Sequence, residues 1–153
     1  MPVSVRTAAV AERRALEELM MRASVAGTRY GAELRANPDA VSVPAGQFAD
    51  GLVRVAERDD GTVAGFAVVL PPVDGVCELD AIFVEPEVMG TGVGRALMED
   101  AADRARGWGA TALEVVANPD AVGFYERSGF TRGSEVATRF GSALRMRCEV
   151  GPA

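Results

Sequence analysis

Gly90, Gly92 and Gly94 stand at alternate positions in the segment 84–97, VEPEVMGTGVGRAL. A strand-like run, 76–84, precedes them and a helix-like run, 95–106, follows. A strand, a glycine loop and a helix N-terminus together make an anion site. The loop N–H groups can converge, and the helix dipole adds roughly half a positive charge there. Glycine also lets the backbone approach a phosphate with no Cβ in the way. The chemistry suggested is a main-chain grip on a phosphate-bearing cofactor. Two common glycine motifs are excluded. A P-loop needs Gly-Lys followed by Ser or Thr, and every basic residue of this chain is Arg. A dinucleotide fingerprint needs G-x-G-x-x-G, but its third glycine would fall on Arg95 or Leu97.

A second group of residues lies 25 to 35 positions further on, in Asn118-Pro119-Asp120-Ala121-Val122-Gly123-Phe124-Tyr125 and the following Gly129-Phe130. Asn118 reads as a helix N-cap with Pro119 at the first helical position. Tyr125, one turn after Ala121, offers a phenol for proton transfer or simply a half-buried ring with a satisfied hydroxyl. The remaining inventory is narrow. The chain has no His, which removes Ser-His-Asp and Cys-His catalysis and His-based zinc sites. The lack of Lys removes Schiff-base chemistry. Asp, Glu, Tyr, Cys, Ser, Thr, Arg and the backbone are left, and no metal site is expected. Cys77 and Cys148 each sit in an apolar strand pattern, which reads as two buried thiols in a reducing cytoplasm and not as a disulfide.

The elements that must position these residues follow from periodicity. Residues 3–8 start as a strand. Leu16, Leu19, Met20 and Ala23 recur at helical spacing within 11–26. A short helix is expected over 30–36, and 37–50 is loop or partly helical. Asp59-Asp60-Gly61 turns a hairpin between strands at 52–57 and 62–70. Within 76–84 the alternation places Cys77, Leu79, Ala81 and Phe83 on a core face, with Glu78, Asp80, Ile82 and Val84 opposite. Leu97, Ala101 and Ala105 mark the helix after the glycine loop. A strand at 111–117, a helix to Ser128 and strands at 130–138 and 142–150 complete the chain. Strand and helix alternate after residue 76, which predicts an α/β sheet flanked by antiparallel strands.

The whole chain bounds the answer. Its 153 residues, 48% hydrophobic, suit one globular domain over 1–153. No apolar run reaches transmembrane length and the N-terminus lacks a signal-peptide pattern, so a cytoplasmic protein is expected. The net charge of −6 argues against non-specific binding to nucleic acid or anionic membrane and suits an amine substrate.

Both motifs, in this order and at this spacing, resemble the GNAT superfamily of N-acetyltransferases. The resemblance covers roughly residues 76–140. It implies a mixed central sheet of about 6–7 strands with about four helices, and acetyl-CoA as cosubstrate. The cofactor-binding set is then Ile82, Phe83, Val84, Met89, Gly90, Thr91, Gly92, Val93, Gly94, Arg95, Asn118 and Phe124. Loop residues 89–95 would hold the pyrophosphate. Asn118 would hold the pantetheine arm, and Tyr125 would protonate the departing sulfur. Met89 departs from the Gln or Arg usual in that family. The family also places substrate-contacting segments where 37–50 lies, and a bulge in the strand before the loop.

Acetyl transfer to an amine sets its own demands. An alkylamine with pKa near 10.4 is mostly protonated at pH 7, and presenting the neutral form costs about 4 kcal/mol. A carboxylate or an ordered water must take that proton. Glu78 is the first candidate, on the face assigned to Val84, and Asp80 is the second. A main-chain N–H near Phe83 or Val84 would stabilise the oxyanion. The acceptor stays open, from a small amine to a peptide, and so does assembly as a homodimer. The alternative is a CoA-binding sensor of the same fold without turnover.

Overall fold

The structure is a computed structural model describing residues 2–151. Seven strands form one mixed sheet in the order β1-β2-β3-β4-β5-β7-β6. They are β1 Val3–Thr7, β2 Val53–Arg58, β3 Val63–Val69, β4 Val76–Val84, β5 Ala112–Ala117, β6 Thr131–Thr138 and β7 Gly141–Glu149. Only β4 and β5 run parallel; the other neighbours are antiparallel. A parallel pair needs a crossover, supplied here by the glycine loop and α4. The helices are α1 Arg13–Gly27, α2 Gly31–Ala36, α3 Ala45–Ala49, α4 Val93–Gly107 and α5 Val122–Arg127. The α/β architecture is the expected one. The additional helix, α3, lies in the segment read as loop or partly helical. None of the described helices is long and apolar enough to cross a membrane.

Apolar side chains cover both faces of the sheet, not one. On one face, the α4 stripe of Val93, Leu97, Met98, Ala101 and Ala105 is buried against Ala67, Val69, Cys77, Leu79, Leu113 and Val115. On the other, Leu16 and Leu19 of α1 and Phe48 of α3 meet Val53, Val55, Phe66 and Val68. Each large aliphatic side chain so buried contributes about 1.5–3 kcal/mol, so α1 and α4 are both held firmly against the strands between them. Cys77 is fully buried, as expected. Cys148 is only half-buried, because β7 is covered less completely, and both thiols are free.

β4 corrects the simple alternation. Val68 faces Ala81 while Val69 faces Leu79, so Asp80 is an extra residue, a β-bulge. The bulge flips every side chain beyond it. Ile82 and Val84 therefore join Cys77 and Leu79 on the α4 face. Ala81 and Phe83 pack on the α1 face. Glu78, placed opposite Cys77 and Leu79, does not share a face with Val84. The bulge is the feature the family resemblance implied.

The same region opens the sheet. β4 and β5 pair only at Val76–Ala112, Cys77–Leu113 and Glu78–Glu114. Beyond these, β4 turns away through its bulge, while β7 holds the far edge of β5 up to Ala117–Leu144. The split lies at the carboxyl ends of two parallel strands, where α/β sheets bind ligands.

Candidate active site

A cleft of about 980 Å³ passes through this split. Its walls are β4 from Leu79 to Val84, the loop with Met89, Gly90, Gly92 and Gly94, and the first turn of α4. Val115, Val116 and Asn118, then Phe124 and Tyr125, line the opposite side. The two sequence motifs thus face each other across one space.

The three glycines do different work. Gly90 and Gly92 have φ of +81° and +98° with nothing within 4 Å of a Cβ built on them. Their role is conformational: each reverses the chain where an L side chain would be strained. Gly92 is the N-cap of α4 and, among the described residues, no side chain caps it, so the first N–H groups of a 15-residue helix can face an anion. Gly94 has ordinary helical geometry. A Cβ there would meet the Phe124 ring at 3.0 and 3.3 Å. Gly94 therefore also allows close packing of α4 against α5. Thr91 Oγ1 donates to the Val88 carbonyl at 2.5 Å, closing the loop on itself. Val93 is buried in the core, its side chain turned from the cleft. Arg95 lines the cleft and pairs with Glu99 at 3.2 Å.

The edge of β4 is free where the strands part. Glu85 N–H donates to the Ala64 carbonyl at 2.8 Å, which makes Val84 and Gly65 a non-hydrogen-bonded pair of the antiparallel ladder. The alternation turns the N–H and C=O groups of Ile82 and Val84 toward the split, and those of Phe83 toward β3. Of the two residues expected to supply an oxyanion donor, Val84 fits and Phe83 does not.

Asn118 is the N-cap its sequence suggests: Oδ1 accepts from Asp120 N–H at 2.9 Å. That bond orients the amide at the rim of the cleft. Tyr125 is buried against Phe124 and Phe130, ring centroids 5.3 and 5.4 Å apart, in edge-to-face contacts. Burial pushes its phenol far above the usual tyrosine range, so it stays protonated at any ordinary pH. Among the described residues nothing hydrogen-bonds its hydroxyl.

The two carboxylates part company. Asp80, at the bulge, is exposed, lines the cleft and accepts from Gln47 Nε2 at 2.9 Å. Glu78 sits one step lower, where β4 and β5 are still paired. Arg145 Nη1 lies 3.4 Å from Glu78 and 3.3 Å from Glu114. Burial raises the Glu78 carboxyl above its usual range despite Arg145, which is distant and shared with a second acid.

Sequence reasoning missed several contributors. The end of α1 closes the cleft through Ala23, Ser24, Gly27 and Thr28, and two ion pairs fasten it there. Arg22 donates to Glu85 at 2.6 and 3.0 Å, and Arg29 to Asp120 at 3.1 and 3.2 Å. One pair grips each lip of the split. Arg127, exposed and one turn beyond Gly123, adds a cation to the rim. The helical spacing of α1 was visible in the sequence, but nothing local in it announced which end would meet the cleft.

The model of the acetyltransferase (GNAT) family matches residues 13–130. Peptidyl-lysine N-acetyltransferase YjaB of Salmonella typhimurium is 43% identical over 84 residues, 54% of this chain and 53% of that protein. The match thus spans about half the length of that curated relative. Among solved structures, PaiA N-acetyltransferase of Thermoplasma acidophilum in complex with coenzyme A has a TM-score of 0.75 at 18% identity, over 97% of this chain and 99% of that one. YncA of Salmonella typhimurium with its cofactor acetyl-CoA has a TM-score of 0.70 at 22% identity, over 100% and 96%. These two likenesses concern the fold. Taken with the family match over most of its length, they agree with the split sheet and the glycine loop: the chain belongs to the acetyltransferase (GNAT) family.

Proposed function

We propose that this protein transfers the acetyl group of acetyl-CoA to a primary amine by direct attack in a ternary complex. The observation that carries the reading is the continuous cleft: it joins an uncapped helix N-terminus on one side of the sheet to the α1 face on the other. A long donor can thread such a passage while an acceptor waits at its far end.

The roles follow from placement. The N–H groups at 92–95 receive the pyrophosphate, with Arg127 as a nearby cation. The unpaired edge of Ile82 and Val84 gives the pantetheine amides strand-like partners, beside Asn118. Glu78, through a bridging water, or Asp80 directly, takes a proton from the ammonium. The nitrogen then attacks the thioester carbon, and the oxyanion meets the Val84 N–H. The C–N bond is formed, the C–S bond breaks, and Tyr125 gives its proton to the departing thiolate. The second nitrogen proton leaves to solvent, from which Tyr125 is restored. The phenol holds its proton when the thiolate appears, as an acid must, while burial makes it a weaker donor, so its part is to hydrogen-bond and then protonate the sulfur as charge develops there.

Tyr125→Phe tests this assignment. The ring contacts survive, so affinity for CoA should hold. Thiol release from acetyl-CoA with an amine acceptor should fall by about 100-fold, the low end for acid catalysis with so good a leaving group. An unchanged rate removes Tyr125 as the acid. Tight CoA binding without acetylation of any amine in a broad panel would favour the sensor reading instead.

A further inference from the structure

A second cavity of about 220 Å³ opens off the cleft on the α1 side. It shares Ser24, Thr28, Phe83, Val116 and Asn118 with the cleft, so it begins where the donor passage ends. Its body is apolar, with Tyr30, Leu34, Phe83 and Phe140 among its walls, and none of its lining residues is charged. The hairpin between β6 and β7 roofs it. Tyr30 Oη would lie 2.6 Å from a Cβ on Gly141, so the phenol abuts the hairpin turn. Arg139 fastens the same turn to Asp39 at 3.1 Å and to Asn37 at 3.0 Å.

Two observations say what the chamber takes. A carboxylate or a second ammonium inside it would lose part of its hydration and find no counter-ion on the walls, which is costly. A dry cavity of about 150 Å³ already admits a benzene ring, so this one has room for a ring and a short tether. It lies below the usual range for drug-sized ligands, so it takes one small group at a time. At the throat stands Ser24, 7% exposed, whose hydroxyl has no partner among the described residues. The hydroxyl lines both cavities and is open to a polar atom of a ligand.

Resting on the acetyltransferase reading, we infer that the acceptor is a small primary amine on an uncharged, largely apolar body about the size of one ring. The body fills the chamber beside Leu34 and Phe140, and the Ser24 hydroxyl bonds the polar end at the throat. Tyr30 and the hairpin exclude larger or doubly charged acceptors.

The test compares 2-phenylethylamine, spermidine and an N-blocked lysine peptide by thiol release from acetyl-CoA, and by calorimetry on the CoA-loaded protein. The expected result is at least a tenfold preference in kcat/KM for phenylethylamine. Ser24→Ala should raise its KM about fivefold, the worth of one neutral hydrogen bond. Leu34→Glu, at a half-buried site where folding is easily verified, should raise that KM at least tenfold and leave the KM for acetyl-CoA unchanged. Preference for spermidine or the peptide overturns the inference, as does an unchanged phenylethylamine KM in both variants. If no amine turns over, the transfer reading fails, yet calorimetry still decides the chamber: phenylethylamine must bind more tightly than spermidine.

Discussion

Gly65 shows how tightly the fold specifies the end of β4. It lies in β3 opposite Val84, at an irregular register with β2. A Cβ there would sit 2.7 Å from the Phe83 carbonyl oxygen, 3.1 Å from Leu97 Cδ1 and 3.3 Å from Val84 Cα. An ordinary carbon–oxygen contact is about 3.3 Å or more, so Gly65→Ala must push β4 and β3 apart by about half an ångström. The obstacle is backbone held by the Glu85–Ala64 hydrogen bond, not a mobile side chain. Overpacking of this kind costs about 1–3 kcal/mol. Replacing a strand glycine returns about 0.5–1 kcal/mol. With the obstacle being backbone, the cost lies at the upper end, about 2–3 kcal/mol, so the net is a loss of about 1–2.5 kcal/mol, or about 2–10 °C in Tm for a domain of this size. Gly46→Ala is the control: its added Cβ meets nothing and φ is not positive, so it should be neutral or slightly stabilising. Displacing Val84 also moves the proposed oxyanion donor, so kcat should fall about tenfold at 25 °C, where the variant is still folded. Thermal unfolding and thiol-release kinetics read both effects. A Tm for Gly65→Ala equal to or above that of the parent would refute the packing argument.

The other predictions concern the loop and the base. Gly92→Ala places a side chain at φ +98° and should cost about 1–3 kcal/mol. It should also weaken CoA binding by more than Gly46→Ala does, measured by calorimetry, because the N–H groups of α4 lose their common direction; equal affinity would separate the loop from the phosphate. Glu78 must be deprotonated to act as base, and burial raises its pKa. Activity should therefore rise with pH through a limb lying above the ordinary carboxylate range. Glu78→Gln should abolish that limb and cut kcat about 100-fold at pH values above it, with the two proteins converging below it; a pH–rate profile of unchanged shape would shift the base to Asp80 or water. The stability sign is opposite to that of a salt-bridged acid. A raised folded-state pKa imposes a penalty that is absent below the unfolded value and sets in as pH rises through the folded one. Glu78→Gln should thus not destabilise the protein at pH 8, a point checked in the same unfolding experiment.

The glycine loop and the Asn118 turn were legible because they are written in backbone geometry. Gly90 and Gly92 are needed for positive φ, and Asn118-Pro119 for a helix start; both demands are local and leave residue types behind. The helical stripe of α4 was legible for the same reason, since Leu97, Ala101 and Ala105 recur with the turn. What depends on neighbours in space was not. The insertion of Asp80 into β4 leaves an uninterrupted alternation in the sequence, and only pairing with Val68 and Val69 exposes it. Gly94 looks like its two companions until Phe124 is seen 3.0 Å from its missing Cβ. Arg22 and Arg29 are ordinary surface arginines until Glu85 and Asp120 arrive beside them from 63 and 91 positions away.

The bulge also lets the proposed donor and acceptor halves coexist on one strand. Without Asp80, β4 would keep one alternation, pairing with β5 could continue and the sheet would close. With it, the strand below stays paired through Glu78 and Glu114, and the strand above turns its Ile82 and Val84 edge into an open slot. The flip sends Ala81 and Phe83 to the α1 side, where Phe83 becomes a wall shared by the cleft and the second cavity. One inserted residue therefore frees the main-chain groups of Ile82 and Val84, sets a carboxylate at the mouth of the cleft, and turns an aromatic ring toward the second cavity.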